Sequence, residues 1–253
     1  MREVAGHSKW KNIQHRKGRQ DAIRGKLFAK LTREIYVAAR QGDKDPANNT
    51  KLRLAIEKAK TQNMPNDNIE RAIKKAAGAI DGENYEEITY EGYGPTGIAV
   101  MVEALTNNRN RTAADLRHIF SKRGGNLGES GCVSWMFNRK GLFVLDRDQV
   151  NMDEEELLLL SLENGAEDFE ATEKAYEITT TPELFEEMKK VLESEGLTFT
   201  AAEVTWIPSN KMYIQGETVK QMLGLIEALE DHDDVQNVYA NFDVDEDELA
   251  KYA

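Results

Sequence analysis

Lys9, Lys11, Arg16, Lys17 and Arg19 fall within eleven residues of one another, with His15 among them and no acid between. Side chains of this kind at this density attract a polyanion, because each phosphate they neutralise releases condensed counterions. Only Trp10 and Ile13 are apolar in the stretch. It therefore buries little of itself and is expected to order on a partner. Trp10 suits two roles, stacking on an exposed base or anchoring the arm against the helices behind it.

Other residues that could do chemistry do not converge. The four histidines stand at 7, 15, 118 and 232, and none has metal-ligand spacing with Cys132. Asp231-His232-Asp233-Asp234 lies between a helix and a strand and reads as a solvated turn rather than a cation site. Gly128-Glu129-Ser130-Gly131 lacks the glycine spacing of a nucleophile elbow. Gly92-Tyr93-Gly94-Pro95-Thr96-Gly97 matches G-x-G-x-x-G literally, but a dinucleotide loop must open a helix. Here a strand follows, Ile98 to Leu105. A hairpin turn is expected, with Tyr93, Gly94 and Pro95 at an exposed tip that is a candidate functional loop. Cys132 reads as a core residue within a strand from Gly131 to Phe137 and cannot form an internal disulfide, which fits a reducing cytoplasm. Carboxylates are plentiful, yet no pair stands out. No enzyme activity, metal, cofactor or small-molecule substrate is expected.

Charge distribution favours a nucleic-acid partner more than the total does. The 253 residues carry a net charge of −12, but residues 1–80 carry +11 and residues 81–253 carry −23. Such an asymmetry marks a polyanion-binding end. No apolar run approaches membrane-spanning length; the leucine run Leu157 to Leu160 is far too short and follows Asp153, Glu154, Glu155 and Glu156. The N-terminal segment lacks the apolar stretch of a secretory signal. It is basic, as a transit peptide is, but it runs directly into patterned helix.

The basic arm needs a platform, and helical periodicity supplies one. Ile23, Leu27, Leu31, Ile35 and Ala38 form one apolar stripe, while Lys26, Lys30, Arg33 and Arg40 share another flank. Gly42 stops this helix. Asp45-Pro46 is expected to open the second, which turns Leu52, Ile56 and Ala59 inward. A third helix carries Ile69, Ala72, Ile73 and Ala76 and ends at Gly78. These imply a small, Ala-rich, marginal three-helix bundle. Its third helix offers few base-reading side chains beyond Asn66, Asn68 and Arg71, so phosphate contacts are expected and base readout is not.

Beyond the head, Glu87–Glu91 and Ile98–Leu105 read as strands. Asn107-Asn108-Arg109-Asn110-Arg111-Thr112 then opens a helix with Leu116, Ile119 and Phe120. Arg109 and Arg111 could clamp phosphate there, or serve capping and ion pairs with Asp115 or Glu103. Lys122 and Arg123 add a small basic cluster at its end. Residues 142–207 read as strand, helix, two strands, helix, strand, with strands near 142–145, 168–170, 176–179 and 200–207 and helices near 153–164 and 182–195. This is the ferredoxin-like order. A helix from Glu217 to Glu230 and a strand from Val235 to Ala240 have no sheet of their own and are expected to return to the earlier one. From Asp243 the acidic tail is expected to fray.

The fold class is therefore α+β, an N-terminal three-helix bundle followed by two α/β sandwich domains, at least one ferredoxin-like. The expected domains are 1–80, a discontinuous 81–139 plus 208–253, and 140–207. The nucleic-acid-binding candidates are Lys9, Trp10, Lys11, His15, Arg16, Lys17, Arg19, Lys26, Lys30, Arg33, Arg109 and Arg111.

Several blocks together are specific. Ala5-Gly6-His7-Ser8-Lys9-Trp10, His15-Arg16-Lys17, Tyr90-Glu91-Gly92-Tyr93-Gly94-Pro95, Asn108-Arg109-Asn110-Arg111-Thr112 and Gly124-Gly125-Asn126-Leu127-Gly128 make the chain resemble the YebC/PmpR family along nearly its whole length. Arg2, Glu3 and Val4 stand ahead of the family's usual Ala-Gly-His opening. The resemblance implies a three-domain cytoplasmic protein with a helical N-terminal bundle and no catalytic activity or cofactor. It implies a transcriptional regulator that binds DNA. For some relatives, including a mitochondrial one, it implies instead a translation activator acting at the ribosome, with ribosomal RNA as the partner.

Overall fold

The computed structural model describes residues 20–78 and 84–252. In chain order the elements are α1 (Gln20–Gln41), α2 (Thr50–Thr61), α3 (Asn66–Gly78), β1 (Glu86–Tyr93), β2 (Ala99–Thr106), α4 (Arg109–Lys122), β3 (Asn126–Leu127), β4 (Phe137–Asp146), α5 (Glu154–Glu163), β5 (Ala166–Ala171), β6 (Ala175–Thr180), α6 (Phe185–Ser194), β7 (Ala201–Pro208), β8 (Met212–Tyr213), α7 (Glu217–Glu230), β9 (Val235–Ala240), β10 (Phe242–Asp243) and α8 (Glu246–Ala250). The fold is α+β. The described residues group into two compact units, 20–132 with 220–238 and 133–219 with 239–252.

In the first unit, Leu31, Ile35 and Ala38 of α1 bury against Leu52, Ala55 and Ala59 of α2 and Ile69, Ala72 and Ala76 of α3. The apolar stripes read from the sequence, from Leu27 onward in α1, are the faces that meet. Alanines let the helices approach but bury little area each. The cluster is completed from outside the bundle by Leu105 of β2 and by the partly buried Tyr85. The start of α2 differs from expectation. It begins after Asn49 rather than at Asp45-Pro46, because buried Asn49 ties three backbone groups together. Its Oδ1 accepts from the Leu52 N–H at 3.0 Å, while its Nδ2 donates to the carbonyls of Ala38 at 2.9 Å and Asp43 at 2.6 Å. Asp45 instead accepts from Ala47 N–H in a local turn.

Four strands form the sheet β3-β1-β2-β9. β1 and β2 are an antiparallel hairpin closing at Tyr93 opposite Ala99. The hairpin is as expected, but its tip is not the exposed loop the sequence suggests. Gly94 and Pro95 are buried and Tyr93 is half-buried. A side chain at Gly94 would run into Met222 and Leu225 of α7, and one at Gly125 into the backbone of Tyr93 and Gly94. The Tyr93 hydroxyl donates to the Cys132 carbonyl at 3.1 Å. These positions are small or tethered because elements close tightly over them. Only Thr96 and Gly97 face solvent, and Thr96 has a φ of 59°. A β-branched residue is strained in this left-handed region. Thr96→Gly is expected to raise unfolding stability by about 0.5–1 kcal/mol, the relieved strain exceeding the added chain entropy. A lowered denaturation midpoint would show that the Thr96 hydroxyl bond to the Pro95 carbonyl outweighs the strain.

The second unit contains β4, α5, β5, β6, α6 and β7, with sheet order β5-β6-β4-β7 and antiparallel pairing throughout. This is the ferredoxin-like arrangement. Phe143, Leu145, Tyr176 and Ile178 of the sheet bury against Leu157 of α5 and Phe185, Met188 and Leu192 of α6. β4 starts at Phe137, five residues before the expected strand, because it pairs with β7 out to Pro208. The expected strand 131–137 is otherwise a turn and a short 3-10 helix, Ser134–Met136, and Cys132 is half-buried rather than core. The turn is held by Glu91, whose carboxylate accepts from Gly131 N–H at 2.7 Å. The tail does not fray at Asp243. β10 pairs in parallel with β8, Leu249 of α8 is buried, and Glu248 accepts from Gly216 N–H at 3.0 Å.

Among the described residues, no helix is long and apolar enough to cross a membrane.

Candidate nucleic-acid interface

Lys9, Trp10, Lys11, His15, Arg16, Lys17 and Arg19 lie outside the described residues. The remaining candidates all belong to the first unit, and most of them converge on one acidic turn.

Spacings of four and three put Lys26, Lys30 and Arg33 on one flank of α1. That flank meets the turn between α7 and β9. Lys26 Nζ pairs with Asp231 Oδ1 at 2.5 Å, and Lys30 Nζ donates to the Glu230 carbonyl at 2.5 Å. Arg33 donates to the Asp233 carbonyl at 2.6 Å and to Asp234 Oδ1 at 3.3 Å, and its guanidinium lies 5.3 Å from the centre of the Tyr85 ring. From the start of α4, Arg111 Nη2 donates to Asp234 Oδ2 at 2.8 Å. Thr112 Oγ1 donates to the same oxygen at 2.8 Å, and Thr106 Oγ1 contacts it at 3.3 Å. Leu105 N–H donates to the Asp234 carbonyl at 2.8 Å, tying the turn to β2. The 231–234 segment is thus an ion-pair hub rather than a solvated turn. The acid that pairs with Arg111 is Asp234, 123 residues away in sequence, not Asp115 or Glu103.

Electrostatics follow from this geometry. Burial alone would push the Asp234 carboxyl up. The hydrogen bonds from Arg111 and Thr112, with the charges of Arg111 and Arg33, outweigh it and hold the group below the usual carboxylate value. Lys30 is held below the usual lysine value for a different reason. Burial pushes it down to about 8, against the pull of Glu230, Asp231 and Asp233. His232 accepts from Asp234 N–H through Nδ1 at 3.1 Å and sits 3.3 Å from Asp115 through Nε2.

What stays open to solvent is the edge of α4. Arg109 and Arg117 are exposed, in the first and third turns of the helix, and neither makes an ion pair among the described residues. Arg111 keeps about half its side chain exposed while bonding Asp234. Arg117 is not among the candidates read from sequence, because no glycine, cap or cluster marks it. In the bundle, Arg71 is turned back on α3, donating to the Asp67 carbonyl at 3.1 Å and to the Asn68 side chain. Arg71 and Asn68 are two of the three side chains on α3 suited to reading bases.

The hub also separates binding from stability. Lys26 and Asp231 are both exposed, and exposed pairs contribute about 0–1 kcal/mol. Asp231→Ala is expected to leave the denaturation midpoint nearly unchanged while raising affinity for nucleic acid about two- to fivefold, since one repulsive carboxylate is removed and one lysine is released. Unchanged or weakened binding in an anisotropy titration would show that Lys26 does not face the ligand.

Comparison with known proteins identifies the family. A family model described as "TACO1/YebC protein N-terminal domain" matches residues 8–79, and one described as "TACO1/YebC second and third domain" matches residues 85–242. A protein of Geobacillus thermodenitrificans named "Probable transcriptional regulatory protein" is 63% identical, with 95% of this chain and 97% of the relative covered. One of the same name from Natranaerobius thermophilus is 59% identical, with 96% and 98% covered. The crystal structure of a conserved hypothetical protein from Aquifex aeolicus is similar with a TM-score of 0.78 and 51% identity, covering 89% of this chain and 92% of that one.

Proposed function

The chain belongs to the TACO1/YebC family, and from that premise we propose that it is a cytoplasmic, non-enzymatic regulator of gene expression that binds nucleic acid through phosphate contacts. The contacts are made by the basic arm around Lys9, Trp10, Lys11, His15, Arg16, Lys17 and Arg19 and by the arginine edge of α4, Arg109, Arg111 and Arg117. Lys26, Lys30 and Arg33 meet the same acidic turn as Arg111 and are partly neutralised by it. The observation that carries the proposal is the charge division, +11 in residues 1–80 against −23 in the remainder, which favours a polyanion at the head; within the remainder the exposed arginines of α4 are a local exception.

Transcriptional regulation is the first form of the proposal, since the relatives are named probable transcriptional regulatory proteins, and duplex DNA is the partner that form requires. One observation favours a second form, a translation factor on ribosomal RNA. Arg71 and Asn68 are bonded to each other instead of projecting from α3, which leaves the bundle without an evident base-reading helix. Backbone and shape recognition suits folded RNA as well as it suits a duplex.

Co-sedimentation with ribosomes, run beside binding to promoter and scrambled DNA at matched salt, separates the two. A preference of about a hundredfold for one promoter, about 2.7 kcal/mol, supports the transcriptional form. Ribosome association with equal affinity for both DNAs supports the translational form. Absence of binding to any of the three would overturn both.

A further inference from the structure

α5 presents a face that its own fold leaves uncovered. Leu157 and Ser161 are buried, and Leu160 packs partly on the same core. Leu159 and Leu162 point the other way and are 59% and 51% exposed. They are three residues apart and share one side of the helix. A helix that is apolar all round is normally covered all round. Single exposed leucines need no explanation, but this pair is framed by charge of one sign. Glu155 and Glu163 lie four residues before and after Leu159, and Glu156 lies three before it. With Asp153 and Leu160 these residues line a shallow groove.

Helix stability explains part of this acidity and not the rest. Asp153 caps the helix, its carboxylate accepting from Glu155 N–H at 3.2 Å, and Glu155 and Glu156 sit in the first turn where the helix dipole favours them. Glu163 sits in the last turn, where the dipole disfavours an acid, and no basic residue is there to offset it. Glu154 is paired with Arg147, but among the described residues Glu155, Glu156 and Glu163 make no ion pair.

We propose that this face of α5 docks a lysine- and arginine-rich protein segment that carries apolar side chains at helical spacing. Nucleic acid and anionic surfaces are repelled by the carboxylates. A second copy docking symmetrically would set the same acids against themselves. A basic amphipathic helix meets both requirements, laying its apolar stripe over Leu159 and Leu162 and its cations beside Glu155, Glu156 and Glu163. The chain then has two surfaces of opposite preference, one for a polyanion and one for a basic protein.

The test uses the full chain and a labelled synthetic peptide of about 18 residues, with leucines on one helical face and lysines elsewhere. A scrambled peptide of the same composition is the control. The wild-type protein is expected to bind the patterned peptide at least about tenfold more tightly than the scrambled one. Leu159→Gln with Leu162→Gln removes that preference, and Glu155→Lys with Glu163→Lys weakens binding of both peptides by a similar factor. All four substitutions are on the exposed surface, and circular dichroism verifies that each variant is folded. Equal binding of the two peptides by wild type, or unchanged binding by both variants, would overturn the proposal. So would a dimer in sedimentation that the leucine substitutions disperse, since the occupant would then be a second copy.

Discussion

Asp234→Ala is expected to lower the unfolding free energy by about 3 kcal/mol, because it strands the partners of a buried, fully engaged carboxylate. Asp234 is 4% exposed and receives Arg33, Arg111, Thr112 and Thr106. Without it, two guanidiniums face each other across the space it filled, and the buried Thr106 and Thr112 hydroxyls keep only each other and the Asn108 carbonyl as partners. The effect is read as a fall in the urea midpoint. Asp234→Asn, which keeps the shape and one acceptor oxygen, is expected to cost less. The same group makes stability pH-dependent with a definite sign. Its folded value lies below its unfolded value of 3.8. The stabilisation is therefore complete above pH 3.8 and disappears as pH falls through the lowered folded value. An alanine variant within about 0.5 kcal/mol of wild type would show that the hub is ornamental to the fold.

The second large effect is expected in binding. Replacing Lys9, Lys11, Arg16 and Lys17 together by alanine should flatten the dependence of log affinity on log salt by about 3–4 for duplex DNA, at about 0.9 for each phosphate no longer neutralised. Affinity at low salt should fall by orders of magnitude, with the urea midpoint unchanged. A variant with the wild-type salt slope would show that the arm touches none of the phosphates. Arg109→Ala with Arg117→Ala should then carry the effect instead.

Much of the fold was legible because it rests on periodicity. The stripes of α1 and α3 and the strand-helix order of residues 137–208 are local patterns, and the faces they predict are the faces that bury. Element starts were less legible where one side chain reaches across a turn. Asn49 moves the start of α2 because its amide bonds Ala38 and Asp43 as well as its own helix, and nothing in Asp45-Pro46 forecasts that. The glycine-rich hairpin was legible as a turn, but its expected exposure was wrong. Glycine marks both free loops and places where other elements press close, and at Gly94 it is Met222 and Leu225 that press.

The candidate site is legible in the sequence as charge and not as geometry. Counting identifies a basic end, but Lys26, Lys30, Arg33 and Arg111 acquire their roles from an acidic turn some 120 to 205 residues away. A long-range partner of that kind has no local spacing to betray it. Asp234 looks like one carboxylate among many for the same reason, and it is the best-connected side chain in the network.

The central claim is that the basic arm and the exposed arginines of α4, and not the ferredoxin-like residues 137–208, touch nucleic acid. It is tested most directly by photo-cross-linking thio-substituted DNA and RNA to the full chain and locating the cross-linked peptides by mass spectrometry. The expected cross-links fall within residues 7–33 and 109–117 and disappear as salt is raised. Cross-links confined to the ferredoxin-like residues 137–208, persisting at high salt, would contradict the account.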